Sequence, residues 1–97
     1  MIKTRFYTLR RDNITGSVKA IAASGYTDGA FYYYKLGHRW HAIVPNYGLS
    51  IATAYTRKEA CRIAFAHLDK LREYEQINGE SLRQLFLEKA RAAASIE

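Results

Sequence analysis

The chain has one cysteine, Cys61, and one proline, Pro45, among its 97 residues. A lone thiol excludes an internal disulfide, so the fold has to be held by packing, and a reducing compartment is the expected setting. No apolar run approaches the roughly 18–20 residues that cross a bilayer. The opening Met1-Ile2-Lys3-Thr4-Arg5-Phe6 alternates charged and apolar residues and contains no signal core. A cytoplasmic protein without a membrane partner is therefore expected. Acid is scarce in the first half: residues 1–50 carry seven Lys/Arg against only Asp12 and Asp28, whereas residues 51–97 carry eight against seven acids. Most of the net charge of +6 thus falls on the first half, and it favours a polyanionic or acidic partner.

The groupings that would carry catalysis are also missing. Asp12 and Asp28 stand in turn-like segments, where Asp is expected to bond its own backbone, and they make no acid–base pair. Cys61 and His67 are six apart on a predicted helix, so they point in different directions. His38 and His41 have a metal-like spacing, but an odd separation on a strand puts them on opposite faces. No Cys or carboxylate cluster completes a metal site, and no Gly-rich phosphate loop or Gly-x-Ser-x-Gly turn is present. We expect a non-enzymatic protein with no catalytic residues, no metal and no cofactor.

What is present is a chain with 48% apolar residues, rich in aromatics, that gives way midway from strand signals to helix signals. Ile2–Arg10 is β-branched and aromatic and reads as a strand, followed by a turn over Arg10–Gly16. Val18–Ala23 is open between a second strand and a short helix, because its alanines weaken the strand signal, and Gly25–Gly29 reads as loop. Phe31–Lys35 and Arg39–Val44 are strands joined at Leu36-Gly37-His38. Pro45-Asn46-Tyr47-Gly48 is a β-turn, and after it Leu49, Ile51, Thr53 and Tyr55 alternate with Ser50, Ala52 and Ala54.

Thr56 and Glu59 form a capping box, the Thr hydroxyl accepting the Glu59 N–H and the Glu carboxylate reaching back to the Thr N–H. Behind it Ala60, Ile63, Ala64, Leu68, Leu71 and Tyr74 recur at helical spacing, and Asn78-Gly79 supplies a left-handed stop. Ser81 with Gln84 opens a second helix whose Leu82, Leu85, Phe86 and Ala90 share a face. The reading is a single α+β domain over 1–97. A four- to five-stranded antiparallel meander (1–55) precedes helix 1 (56–78) and helix 2 (81–94), both packed on one sheet face.

Two features point to binding. Arg57, Lys58 and Arg62 crowd the start of the first helix, opposing the macrodipole at a cost of roughly a few tenths of a kcal/mol each and favouring an anion there. If helices cover one face of the sheet, either Tyr32/Tyr34 or Phe31/Tyr33 must look outward, beside Lys35 and Arg39. The candidate contacts are therefore Lys3, Arg5, Arg10 and Arg11, then Tyr32, Tyr34, Lys35 and Arg39, then Arg57 and Lys58.

Residues 31–68 place an aromatic strand, a Gly turn, a Trp-bearing strand, a further strand and Thr56-Arg57-Lys58-Glu59-Ala60 in succession. In this they resemble the arm-binding domains of phage integrases and their plant AP2-like relatives. That resemblance implies a three-stranded sheet entering the DNA major groove with a helix behind it. Tyr32, Tyr34, Lys35, Arg39 and His41 would then read DNA, and Thr56, Arg57, Glu59 and Ala60 would open the helix. The third strand departs from the pattern, with Leu-Ser-Ile-Ala-Thr-Ala-Tyr where those domains carry basic residues. In general style the chain is also similar to small phage accessory proteins, including inhibitors of host nucleases and CRISPR complexes. The expected function is thus a binding protein that docks a basic, aromatic surface on a host protein or nucleoprotein complex that processes nucleic acid, and inhibits it. The alternatives are direct duplex-DNA binding by the sheet and self-association through Leu82, Leu85 and Phe86.

Overall fold

The computed structural model describes residues 1–96. Five antiparallel strands follow one another in sequence order across a single sheet: β1 (Ile2–Arg11), β2 (Val18–Thr27), β3 (Tyr32–Leu36), β4 (Arg39–Val44) and β5 (Leu49–Ala54). Two helices, α1 (Arg57–Ala66) and α2 (Leu68–Ile96), then pack against the sheet. The α+β meander expected from the strand and turn signals is the architecture observed. Val18–Thr27 is strand throughout, paired residue for residue with β1, so the stretch from Gly25 that reads as loop belongs partly to β2.

The sheet curls strongly. β1 and β5 lie at opposite ends of the strand order, yet the Leu9 N–H donates to the Gly48 carbonyl at 2.8 Å and the Thr8 hydroxyl donates to the same oxygen at 2.9 Å. Those bonds draw the β1 edge to the turn that enters β5. β2 meets β3 only at Tyr26↔Tyr33 and Thr27↔Tyr32, so the β1–β2 hairpin leans away from the remaining strands and folds over them. Gly25 permits this: the Tyr33 carbonyl occupies the space that a Cβ at residue 25 would need.

Curling buries both faces. On the convex face Phe31, Tyr33, Ala42, Val44, Tyr47 and Ala52 pack beneath the helices, and Ala60 and Ala64 let α1 approach closely. On the concave face Phe6, from the hairpin, packs on Tyr34 and Ile43. Neither aromatic pair of β3 is therefore free. Phe31 and Tyr33 lie under the helices, Tyr34 is 8% exposed, and Tyr32 stacks on Phe6 with ring centroids 4.6 Å apart.

Four local expectations are corrected. A bulge between Ala42 and Ile43 skips Ile51 in the β4–β5 register. Ala52 and Ala54 are therefore buried, and Thr53 and Tyr55 are exposed. The helix break falls at His67, whose N–H bonds to the Ala64 and Ile63 carbonyls, and not at Asn78-Gly79. α2 runs through that pair because Gly79 serves close packing: a Cβ there would meet the Tyr47 hydroxyl at 3.3 Å. For the same reason the Ser81/Gln84 box does not open a helix, and Gln84 instead donates to Glu80 within α2. At α1 half of the capping box forms. The Glu59 N–H donates to the Thr56 hydroxyl at 3.1 Å, while the Glu59 carboxylate pairs with Arg62.

Candidate binding surfaces

The five strands contain Lys3, Arg5, Arg10, Arg11, Lys19, Lys35 and Arg39 and no Asp or Glu. Among the described residues the one ion pair is Glu59–Arg62, on the surface of α1. Among the described residues the sheet cations thus make no salt bridge to a side-chain carboxylate, and the curl divides them between two surfaces.

The first surface lies on the convex face beside the start of α1. Paired residues of an antiparallel ladder share a face. Lys3 pairs with Tyr26 and Lys35 pairs with Trp40, so these four lie on the helix-bearing side. Arg5, two residues from Lys3, is on that side as well. Tyr26 and Trp40 have ring centroids 6.2 Å apart. The Arg57 guanidinium covers both, 4.5 Å from the Tyr26 ring and 5.7 Å from that of Trp40. Such stacking holds the cation in a fixed place without removing its charge. Lys58 is exposed next to it. Alongside runs a groove of about 410 Å³ lined by Lys3, Thr4, Arg5, Ser24, Gly25 and Tyr26. This surface is open, cationic and flanked by aromatics. No family model, curated protein or solved structure matches the chain.

The second surface is the rim of the concave face. Arg10 donates to the Tyr34 hydroxyl at 3.3 Å, and the Tyr34 ring stacks on His41 at 5.4 Å. His41 Nδ1 lies 3.2 Å from Ser50 Oγ. Arg39 donates to the Tyr55 hydroxyl at 3.3 Å, with its guanidinium 5.1 Å from the Tyr55 ring centroid. Burial, then the positive charges of Arg10 and Arg39, hold the His41 imidazole below the ordinary histidine range.

Of the ten residues singled out from sequence, Lys3, Arg5, Lys35, Arg57 and Lys58 meet on the first surface, and Arg10, Tyr34 and Arg39 meet on the second. Tyr32 is covered by Phe6. Arg11 lies eight residues beyond Lys3 on β1, about 26 Å away at the usual strand rise. Sequence reasoning missed Tyr26, because Gly25 and Asp28 beside it suggest a loop. It also missed Ser50 as the partner of His41.

Below the first surface sits a polar cluster. Asp28 Oδ1 accepts the Ala30 and Phe31 N–H groups, both at 2.9 Å, and Oδ2 accepts the Tyr33 hydroxyl at 2.6 Å. The Cys61 thiol is 3.7 Å from the same Oδ2. Burial raises the Asp28 pKa, but the bonds from Tyr33, Phe31 and Ala30 outweigh it and the group is held below its usual value. Burial and the Asp28 bond push the Tyr33 phenol far up. Each oxygen of Asp28 is occupied in closing the β2–β3 loop, and Cys61 lies against Asp28 instead of His67. Among the described residues no three His, Cys, Asp or Glu side chains group to hold a metal ion.

Proposed function

We propose that the chain is a small non-enzymatic binding protein. It docks the cationic, aromatic surface at the start of α1 on an acidic face of a host complex that processes nucleic acid, and blocks that complex. The observation that carries this reading is an acid-free sheet presenting Lys3 and Lys35 on either side of Arg57, itself fixed over Tyr26 and Trp40. Arg, Trp and Tyr are the side chains that dominate interface energetics, and fixed rings lose little entropy on docking. The seam once available to a self-association reading is largely occupied: Leu82 packs on the convex core and Phe86 lies against Gly48.

The test is capture from host lysate with mass spectrometry, comparing the parent chain with a Lys3→Glu, Lys35→Glu double variant. A discrete partner captured by the parent and lost from the variant is expected; identical capture by both overturns the reading. Duplex DNA would also suit an acid-free sheet. If five or six phosphates are contacted, log affinity falls against log salt with a slope of roughly −5. No retention of DNA at low salt removes that alternative.

A further inference from the structure

We propose that the rim of the concave face is a phosphate-binding site, with Arg10, Arg39 and the outer nitrogen of His41 as its donors. The site shares no residue with the docking surface described above and stands or falls separately.

The hydrogen bonds set the direction of the imidazole. The Ser50 hydroxyl donates to the Ala52 carbonyl at 3.5 Å, which leaves an oxygen lone pair facing His41 Nδ1 at 3.2 Å. With Nδ1 donating to that lone pair, Nε2 is the nitrogen left to meet a ligand. The Tyr34 ring, 28° from the imidazole plane, fixes its tilt, and the Tyr34 hydroxyl holds Arg10. Arg39 is two residues before His41 on β4, hence on the same face, and is tethered by Tyr55. Arg10 is joined to His41 through Tyr34, and Arg39 stands two residues from His41 on the same strand face, close enough for its charge to act on the imidazole. Two guanidinium forks beside one imidazole suit a tetrahedral oxyanion.

The surroundings favour an anion. The charged and titratable groups beside His41 are Arg10 from β1, Tyr34 from β3 and Arg39 from β4, with Tyr55 after β5 holding Arg39, and no strand supplies a carboxylate. Tyr32 offers no platform to a base here, because Phe6 already lies on it at an interplanar angle of 7°. The ligand chemistry is that of the phosphate group itself. With neutral His41 the two arginines bind the anion alone. On protonation Nε2 gains an N–H that donates to a phosphate oxygen, so binding takes up a proton in the pH range where the imidazole titrates.

The test follows the His41 Cε1–H resonance through a pH titration in chloride and again with inorganic phosphate at matched ionic strength. The expected result is an upward shift of the His41 midpoint by about one pH unit, corresponding to roughly tenfold tighter binding to the protonated form. His38 and His67 should not move. The shift should be lost in an Arg10→Gln, Arg39→Gln double variant whose amide spectrum remains that of the folded chain. Arg39→Gln alone, at an exposed position, should reduce it. A nucleoside 5′-monophosphate and an oligonucleotide lacking terminal phosphates separate the sources: a response to the first alone assigns a phosphomonoester, and a response to both assigns backbone phosphate. An unmoved His41 midpoint with all three probes overturns the proposal, as does an equal shift of all three histidines or a shift retained in the double variant.

Discussion

The two faces of the sheet are both buried at their centres, by different means. The convex face is covered by helices. Ala42, Ala52, Ala60 and Ala64 bring the backbones close, and the rings of Phe31 and Tyr33 fill the space between. The concave face is covered by the sheet itself, through one large side chain, Phe6, carried over by the β1–β2 hairpin. A helix layer brings its own carboxylates. A curled sheet brings only what its strands carry, and these strands carry cations alone. The second kind of cover therefore leaves a positive rim with no salt bridge to a carboxylate among the described residues, and it rests on a smaller buried cluster.

The sharpest way to break that comparison is Phe6→Ala. Phe6 is 7% exposed and touches both Tyr32 and Tyr34, whereas Phe65, which meets Phe31 edge-on under the helices, is 45% exposed. Truncating Phe6 should cost about 3–4 kcal/mol in urea unfolding, and truncating Phe65 about 1 kcal/mol. Equal costs would show that the concave cluster is not a core. Next in size is Gly25→Ala, which sets a methyl against the Tyr33 carbonyl at the crossing of hairpin and sheet. A loss of about 2–3 kcal/mol is expected, because backbone must move on one side or the other. A neutral result would mean that the hairpin is free to shift.

These two positions also mark how far the sequence can be read. Strands, turns and the Thr56 helix start were legible because each depends on residues close together: Pro45 and Gly48 in one turn, Thr56 and Glu59 in one cap. The concave core was not, because Phe6 and Tyr32 meet only after the hairpin folds over, and no periodicity in either strand records it. The bulge at Ile51 was hidden for the same reason: only the pairing of Ala42 with Ala52 fixes it. Asn78-Gly79 misled because a glycine that ends helices elsewhere here makes room for Tyr47. For the candidate surface, the cations were identifiable from composition, but their division between two faces required the curl.

A smaller effect tests what supports the convex surface from below. Tyr33→Phe removes the hydroxyl that donates to Asp28, and should cost about 1 kcal/mol near neutral pH. The Asp28 pKa is lowered in the fold from 3.8. Its contribution is therefore fully present above that unfolded value and is lost as pH falls through the lower folded one. Stability of the parent should drop through this acid range, and Asp28→Asn should flatten that part of the profile. An unchanged slope in the variant would remove Asp28 as the group responsible.

The smallest effect separates a packed cation from a merely exposed one. Arg57→Lys keeps the charge at the start of α1 but loses the planar group that lies over Tyr26 and Trp40, at a cost of about 0.5–1 kcal/mol. Lys58→Ala, at the exposed neighbouring position, should change stability by less than about 0.5 kcal/mol. If docking depends on a guanidinium held in place, Arg57→Lys should weaken partner capture more than its stability loss explains, while adding salt weakens both forms alike. If Arg57→Lys and the parent capture the partner equally, the rings beneath Arg57 serve the fold alone, and the docking contribution of this surface falls to Lys3, Arg5 and Lys35.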